Sequence, residues 1–273
     1  MIVITGVTGK LGRIAAEDVL TRLPADQVAV VARDPAKARD LVERNVQIHH
    51  GDYDDPASLV SAFTGADVLL FVSSPSPTPG TRERQHGDVV NAAVKAGVGR
   101  VVYTSAITAD RGESFLAAHQ FTEQVLRESG LVFTSLRNTF YTEEFVNPGL
   151  LTATAAAGEL TAPKLDHPLV TATRADLAHA AAAVVTGNGH DNAVYELRGP
   201  GWTFAELAAA LSDALGAPVA FREVPDEEAG SMGFILPLLR QPEFGQPTAD
   251  LEQLLGRPAT PLTDAVRAAL AGR

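Results

Sequence analysis

Short apolar runs alternate with amphipathic segments along the first 140 residues. The runs are rich in β-branched residues and nearly continuous, as expected of strands that are buried on both faces of a sheet. They cover residues 2–5, 28–32, 46–49, 68–72, 101–104 and 132–136. The segments between them repeat apolar residues at helical spacing and therefore predict crossover helices. This order of elements predicts a doubly wound α/β fold with a parallel sheet.

Beyond residue 140 the alternation becomes irregular, and prolines and glycines become more frequent. Residues 174–186 predict a helix and residues 193–199 a strand. A further helix is predicted to begin at residues 203–206, where the spacing of Thr and Glu forms a capping box. We therefore predict one domain over residues 1–140 and a smaller α/β region, on the substrate side, over residues 141–273.

A glycine-rich loop, Thr5-Gly6-Val7-Thr8-Gly9-Lys10-Leu11-Gly12, follows the first predicted strand directly. Gly6 permits a tight turn, Gly9 lets the backbone approach a pyrophosphate, and Gly12 lets the helix and the strand pack closely. The start of the next helix then offers unpaired N–H groups to the anion. Because the loop lies between a strand and a helix, it predicts a Rossmann-type dinucleotide-binding domain rather than a purely structural turn.

The end of the second strand indicates which dinucleotide fits. An acidic side chain at this point would bond the ribose 2′-hydroxyl of NAD, whereas an arginine accommodates the 2′-phosphate of NADP. This chain has Arg33 there, with Lys37 one turn later and Lys10 in the glycine-rich loop. Asp34 could take the ribose role instead, or simply cap the next helix. The three cations favour NADPH over NADH as the cofactor.

Composition excludes several other classes of function. The chain has 33 acidic and 22 basic residues, a net charge of −11, which argues against a nucleic acid or an anionic membrane as partner. The absence of cysteine excludes a disulfide scaffold, a thiolate metal site and a cysteine nucleophile. The histidines show no metal-ligand spacing, so no metal is expected. Without a spanning apolar run or a signal-peptide pattern, we expect a cytoplasmic protein.

Five segments carry a resemblance to a known family: TGVTGKLG, VARDPAK, GDYDDPASL, VVYTSA and SLRNTFYTEEF. Together they resemble the NmrA-like branch of atypical short-chain dehydrogenases, and within it the type 2 NAD(P)H:quinone oxidoreductases. The resemblance covers nearly the whole chain. It implies a Rossmann-type domain, a smaller C-terminal region and a substrate cleft between them.

The resemblance also implies a set of cofactor-binding residues at or just past the carboxyl ends of strands. For the phosphates and the adenosine these are Gly6, Thr8, Gly9, Lys10, Leu11, Gly12, Arg33, Lys37, Asp52 and Tyr53. For the ribose and the nicotinamide they are Val72, Ser73, Ser74, Tyr103, Thr104, Ser105, Asn138, Thr139 and Phe140.

The usual proton donor of short-chain dehydrogenases is missing. Most of them reduce carbonyls with a Tyr-x-x-x-Lys pair, but none of the four tyrosines here has a lysine four positions later. Ser105 takes the place of the fifth-strand serine, His119 lies about where the tyrosine would be expected, and Glu123 follows four residues on. We list Ser105, His119 and Asn138 as the candidate catalytic residues.

The missing acid restricts the chemistry. Hydride transfer to a simple ketone gives an alkoxide whose conjugate acid has a pKa of about 16, so it needs a proton donor. Hydride transfer to a quinone gives a delocalised anion of the phenolate type, with a reference pKa near ~10, for which modest hydrogen bonding suffices. The sequence therefore favours a quinone or a similarly activated aromatic acceptor.

Two interpretations of His119 stay open. It could donate a proton or stabilise an anion near the substrate, or it could be a satisfied core histidine, since it shares an apolar stripe with Phe115. His86 is a weaker candidate for the same reasons. Asn138 could hold a nicotinamide carboxamide or a substrate carbonyl, and Phe140 with Tyr141 could stack on a planar substrate.

Three functions are compatible with these residues. The first is an enzyme that transfers a hydride from NADPH to a quinone. The second is a tailoring reductase or oxygenase-type enzyme that acts on a polycyclic aromatic metabolite. The third is a regulator that senses NADP(H) without catalysis, which the missing Tyr-x-x-x-Lys pair would permit.

Overall fold

The computed structural model describes residues 1–110 and 116–271, and the chain divides into two compact units. Unit 1 comprises Met1–Asn138 with Leu177–Leu197, and unit 2 comprises Thr139–Asp176 with Arg198–Arg273. Phe115, which was expected to share a stripe with His119, lies outside the described residues.

The strands of the described residues are, in chain order, β1 (Ile2–Ile4), β2 (Val28–Ala32), β3 (Gln47–His50), β4 (Val68–Phe71), β5 (Arg100–Ala106), β6 (Val132–Asn138), β7 (Phe140–Tyr141), β8 (Glu159–Pro163), β9 (Leu169–Ala172), β10 (Val194–Leu197), β11 (Gly201–Trp202) and β12 (Ala220–Val224). The helices are α1 (Lys10–Arg22), α2 (Arg39–Val42), α3 (Pro56–Phe63), α4 (Thr81–Ala96), α5 (Ala117–Glu128), α6 (Thr142–Phe145), α7 (Pro148–Ala157), α8 (Arg174–Thr186), α9 (Phe204–Leu215), α10 (Leu236–Leu239), α11 (Asp250–Leu255) and α12 (Leu262–Ala271). Short 3-10 turns cover Ala25–Gln27, Pro35–Ala38, Asp226–Glu228, Gly230–Phe234 and Pro242–Gly245.

Unit 1 is built on a seven-stranded sheet in the order β10-β6-β5-β4-β1-β2-β3. All of its strand pairs are parallel. The predicted Rossmann-type α/β fold is confirmed, and each of the six predicted strands is present. The strand order reverses between β1 and β4, and in sheets of this kind ligands bind at the carboxyl ends of the strands beside that point.

Apolar runs form the central strands because both faces of the sheet are covered. Every residue of β1 and of β2 is buried. One core cluster on the sheet joins side chains of β1, β4 and β5 to apolar residues of α3 and α4, including Val3, Leu59, Leu69, Val89 and Tyr103. Burial on both faces removes the two-residue alternation, which explains why the sequence shows continuous apolar runs there.

Unit 2 contains two small sheets, one in the order β11-β9-β7 and one that pairs β12 with β8. Helix α9 begins at the predicted capping box, where the Thr203 side chain accepts from the Glu206 N–H and the Glu206 side chain accepts from the Thr203 N–H. Trp202, just before that cap, packs in the same apolar cluster as Leu207 and donates its indole N–H to Thr171 Oγ1 at 2.8 Å. The only tryptophan therefore serves the core of unit 2.

The division of the chain differs from the predicted boundary at residue 140. The first unit ends at Asn138, close to that boundary, but it also includes Leu177–Leu197. The physical reason is that β10 pairs in parallel with β6, with Val194 opposite Ser135, and so extends the large sheet. The strand was predicted correctly, but it was placed in the C-terminal region because periodicity does not indicate the pairing partner.

Two features are absent from the described residues. None of their helices is both long enough and apolar enough to cross a membrane. Within the same ranges, no group of three or more His, Asp or Glu side chains is placed to hold a metal ion.

Candidate functional site

The glycine-rich loop turns sharply between β1 and α1. Gly6 has a φ of +67°, and its carbonyl oxygen accepts the Gly9 N–H at 2.9 Å. A Cβ on Gly12 would overlap this Gly6 carbonyl and would lie 2.9 Å from the Thr5 carbonyl oxygen. The turn at Gly6 and the close approach at Gly12 are those expected from the sequence, and both depend on glycine.

Helix α1 begins without a side-chain cap. Its N-cap residue is Gly9, no acidic residue lies in its first turn, and the first helical bond runs from the Arg13 N–H to the Gly9 carbonyl at 3.0 Å. The N–H groups of Lys10, Leu11 and Gly12 therefore have no acceptor within the helix. Together with the positive end of the helix dipole, they favour an anion at this point.

An open cavity of about 370 Å³ lies beside this helix start and is lined by Thr8, Arg33, Asp34, Lys37 and Asp52. Arg33 and Lys37 are exposed, so both cations can reach a ligand. The Asp34 carboxylate accepts from the Ala36 N–H at 3.1 Å and caps the next turn, the second of the two roles considered for it. Lys10 is exposed in the loop but is not among the residues that line the cavity.

The Tyr53 hydroxyl bonds to the residues that directly follow β1 and β4. Its hydroxyl lies 2.6 Å from Thr5 Oγ1 and 2.7 Å from the Val72 carbonyl oxygen, and its ring packs edge-on against Phe71. Burial raises the pKa of Tyr53. The expected contact with the adenine could use only the ring, since the hydroxyl is already occupied by the ends of β1 and β4.

The segment after β4 is fixed by hydrogen bonds from neighbouring elements. The Val72 N–H donates to Thr5 Oγ1 and the Ser73 N–H to Thr104 Oγ1, both at 2.9 Å. The Ser74 N–H donates to His86 Nε2 at the same distance. Residues 72–74 thus hold a defined path at the carboxyl edge of the sheet, where a ribose is expected.

His119 is buried and both of its ring nitrogens have partners. An Arg82 Nη2 donates to its Nε2 at 2.7 Å, and its Nδ1 lies 2.8 Å from the Tyr103 hydroxyl. Because a guanidinium can only donate, Nε2 carries the lone pair and the ring proton resides on Nδ1. Burial, followed by the charge of Arg82, lowers the pKa of His119 well below its ordinary value. This geometry favours the core interpretation, since a neutral imidazole is a poor acid.

His86 occupies a similar environment on α4. Its Nε2 accepts the Ser74 N–H, so its Nδ1 carries the proton and faces Thr122 Oγ1 at 2.6 Å. Burial, with a smaller contribution from Arg82, lowers the pKa of His86 to about 3. Its contact with the residue 74 backbone supports the cofactor-side strand end without offering a proton to a substrate.

The two histidines predict an acid-sensitive fold. An unfolded histidine titrates near pH 6.5, whereas these stay neutral in the folded state, so only the unfolded state gains protons below that pH. The free energy of unfolding is therefore complete above pH 6.5 and falls by about 1.4 kcal/mol per pH unit for each histidine below it. Urea unfolding at pH 7 and pH 5 measures this. His119→Gln should reduce the loss and exposed His50→Gln should not; equal losses in both variants would contradict the account.

Ser105 is bound to a buried carboxylate. Its hydroxyl donates to Glu123 Oε1 at 2.8 Å, as does Ser135 at 2.6 Å, while Arg137 binds both oxygens. Burial alone would raise the pKa of Glu123, but the bonds from Arg137, Ser135 and Ser105 lower it. Glu123 is thus an ionised anchor for the ends of β5 and β6, and the Ser105 proton is directed at it rather than at a ligand.

Asn138, the last residue of β6, has a side-chain oxygen without a partner. The residue is 8% exposed, and Oδ1 has no hydrogen-bond donor among the described residues. Its carbonyl oxygen accepts the Ile107 N–H at 3.0 Å, which fixes the backbone. A buried acceptor of this kind fits a ligand amide, such as the carboxamide of a nicotinamide.

The aromatic residues expected near the substrate lie at the start of unit 2. Thr139 Oγ1 donates to the Val170 carbonyl at 2.8 Å, so this hydroxyl serves the fold. The Phe140 ring packs on Phe145 and Phe244, and the Arg174 guanidinium lies 4.6 Å from the centre of the Tyr141 ring. Both rings are half-buried.

The sequence missed Arg82 and the polar cluster around it, as well as the burial of the Tyr103 ring. Tyr103 was expected beside the nicotinamide, but its ring is fully buried in the core of unit 1 and burial raises its pKa. The signal was available in part, because residue 103 lies in a continuous apolar run of a central strand.

If the anion at the start of α1 is the pyrophosphate of a dinucleotide, the nucleotide lies across the carboxyl ends of β1 and β2. Rossmann proteins bind dinucleotides in this way. The family comparison agrees, since a model of NAD(P)H-binding proteins matches residues 6–188. The chain is also 37% identical to quinone oxidoreductase 2 of Escherichia coli (strain K12) over 97% of each chain. This chain belongs to the NAD(P)H-binding family, in the NmrA-like branch that its motifs resemble.

Two solved structures are similar over nearly their whole length. One is the Citrobacter sp. triphenylmethane reductase complexed with NADP(H), with a TM-score of 0.89, 35% identity and coverage of 98% of this chain and 100% of that one. The other is the NADPH-dependent quinone oxidoreductase of Escherichia coli complexed with NADPH, with a TM-score of 0.87, 35% identity and coverage of 99% and 100%.

Proposed function

We propose that this protein is an NAD(P)H-dependent oxidoreductase that transfers a hydride to a quinone or a similarly activated aromatic acceptor. One observation carries the proposal. In a dinucleotide-binding fold, the three residues at the positions of the usual acid machinery already have hydrogen-bond partners inside the protein. Ser105 donates to Glu123, Glu123 also accepts from Arg137, and His119 bonds to Arg82 and Tyr103. A site without a free acid suits an acceptor whose reduced form is a stabilised anion.

The same residues support NADPH as the cofactor. Bound at this site, NADPH supplies a hydride, which is two electrons and one proton. Thr8 and the N–H groups at the start of α1 would hold the pyrophosphate, and Arg33 with Lys37 would bind the 2′-phosphate. Asp52 lies in the same cavity and would contact the adenosine.

Asn138 would orient the nicotinamide. Its unpartnered Oδ1 can accept the carboxamide N–H, and the fixed backbone of β6 holds that acceptor in place. Orientation of the reacting ring is a contribution that such a site can make without acid chemistry from the protein. The proton that completes the reduced acceptor then comes from water.

The acceptor class follows from the chemistry and is supported by the relatives. One is named as a quinone oxidoreductase and another as a triphenylmethane reductase, and quinones and triphenylmethane dyes are both conjugated acceptors.

A panel of acceptors tests the proposal. We expect NADPH oxidation with benzoquinones, naphthoquinones and a triphenylmethane dye, no turnover with simple ketones, and slower turnover with NADH. Nucleotide binding without turnover on any acceptor would overturn the proposal in favour of a sensing role. Turnover confined to bulky anthraquinones would favour the tailoring enzyme.

Replacing Asn138 with alanine should reduce kcat/KM for quinones about tenfold, because one hydrogen bond that orients the reacting ring is lost. Steady-state kinetics at saturating and limiting NADPH measure the effect. Asn91→Ala, at an exposed position of α4, is the matched control and should leave the kinetics unchanged. Equal activity of the two variants would remove Asn138 from the site.

A further inference from the structure

Thr108 has a backbone conformation that its residue type rarely adopts. It follows β5 by two residues and has a φ of +60°. Among the described residues that are not glycine, only Asn45 and Asn192 share a positive φ, and asparagine tolerates that region. A β-branched side chain does not, so the surrounding structure holds Thr108 in a strained conformation, as is often found at ligand sites.

The same residue carries a buried hydroxyl that is not satisfied. Thr108 is 5% exposed, and its Oγ1 has no hydrogen-bond partner in the described part of the chain. Buried hydroxyls are normally paired, because leaving one unpaired costs free energy. Strain and an unsatisfied donor at one residue are two separate costs that packing alone does not explain.

Thr108 lies at the carboxyl edge of the sheet, close in sequence to the residues that pair with Asn138, which would orient the nicotinamide. Ala106 lies opposite Asn138 in the β5–β6 register, and the Ile107 N–H donates to the Asn138 carbonyl. Two unsatisfied side chains, one with a donor and one with an acceptor, thus lie at the carboxyl ends of adjacent parallel strands. Ligands bind at this edge in doubly wound sheets.

Other hydroxyls near this strand end are already engaged. Ser105 donates to Glu123, Thr104 contacts Ser73, and the Tyr103 hydroxyl faces His119. Thr108 remains as the hydroxyl at the end of β5 whose proton has no acceptor in the described residues.

We propose that Thr108 is a catalytic residue that donates a hydrogen bond to the acceptor oxygen as negative charge develops on it; this rests on the proposed function. Addition of the hydride gives the quinone two electrons and one proton, which produces a hydroquinone monoanion and NADP⁺. Thr108 keeps its proton while it stabilises that anion, and water supplies the second proton.

Thr108→Val and Thr108→Ser test the proposal. Valine keeps the shape but removes the hydroxyl, so kcat/KM for quinones should fall about 10- to 30-fold. Its Tm should rise by about 2 °C, because an unsatisfied buried hydroxyl has been replaced by a methyl group. Serine keeps the donor and should stay within about threefold of the wild type, and neither variant should change the Kd for NADPH.

A series of quinones separates catalysis from structure. The loss in Thr108→Val should grow as the pKa of the hydroquinone product rises, because a more basic anion gains more from the donor. Full activity in Thr108→Val, a loss equal in the serine variant, or a loss uniform across the series would overturn the role of Thr108. Absence of wild-type turnover on every quinone would instead overturn the proposed function, and this proposal with it.

Discussion

Replacing Gly12 with alanine should abolish dinucleotide binding, with a loss of more than about 100-fold in NADPH affinity, and should lower the Tm. The new Cβ would overlap the Gly6 carbonyl and crowd the Thr5 carbonyl, both of which are backbone groups. Relief of that overlap must move the loop or the start of α1, and with it the N–H groups that we propose hold the pyrophosphate. Titration of NADPH fluorescence measures the affinity.

Gly233→Ala is the matched control for this change. A Cβ on Gly233 would meet nothing within 4 Å, and its φ is not in the left-handed region, so affinity and stability should both be kept. If Gly12→Ala bound NADPH as tightly as Gly233→Ala, the glycine-rich loop would not be the phosphate site.

The second large effect is expected at Arg33. Arg33→Ala should raise the KM for NADPH about 30-fold and leave the KM for NADH unchanged. The guanidinium lines the cavity beside Lys37, where a 2′-phosphate would sit. Loss of one charge-assisted hydrogen bond to a phosphate costs ~2 kcal/mol, and NADH has no phosphate at that position to lose.

An exposed lysine elsewhere provides the control for charge alone. Lys95→Ala, in the last turn of α4, removes the same charge from the protein without touching the cavity and should leave both KM values unchanged. A KM for NADPH that is insensitive to Arg33→Ala would contradict the placement of the 2′-phosphate beside Arg33. Equal changes in KM for NADPH and NADH would show that the effect does not come from a bond to the 2′-phosphate.

Much of the fold could be predicted from local pattern. The strands of unit 1 are apolar because they are buried on both faces, and the loop at residues 5–12 combines glycines that serve a turn and a close approach. Thr203 and Glu206 predicted the start of α9, because a capping box is a contact between residues close in sequence. The place of β10 in the large sheet could not be predicted, since it depends on a register with β6 that no local pattern encodes.

The positions of candidate site residues could be predicted where they depend on the end of a strand. Side-chain contacts between different helices and strands could not be predicted. Arg33 directly follows β2 and Asn138 is the last residue of β6, so their location at the carboxyl edge could be deduced from the sequence alone. The Arg82–His119 bond joins α4 to α5, and Glu123 gathers donors from β5 and β6. Such contacts depend on tertiary packing, and they decide which of the candidate acids is free.

A single-turnover experiment tests most directly whether a hydride passes from NADPH to a quinone. The wild-type protein is mixed anaerobically with a naphthoquinone and with NADPH that carries deuterium at C4 on one face or the other of the nicotinamide. We expect one hydroquinone per NADPH oxidised, with the reaction slowed by deuterium on one face only. Binding of NADPH without its oxidation, or oxidation insensitive to deuterium on either face, would contradict hydride transfer from NADPH to the quinone.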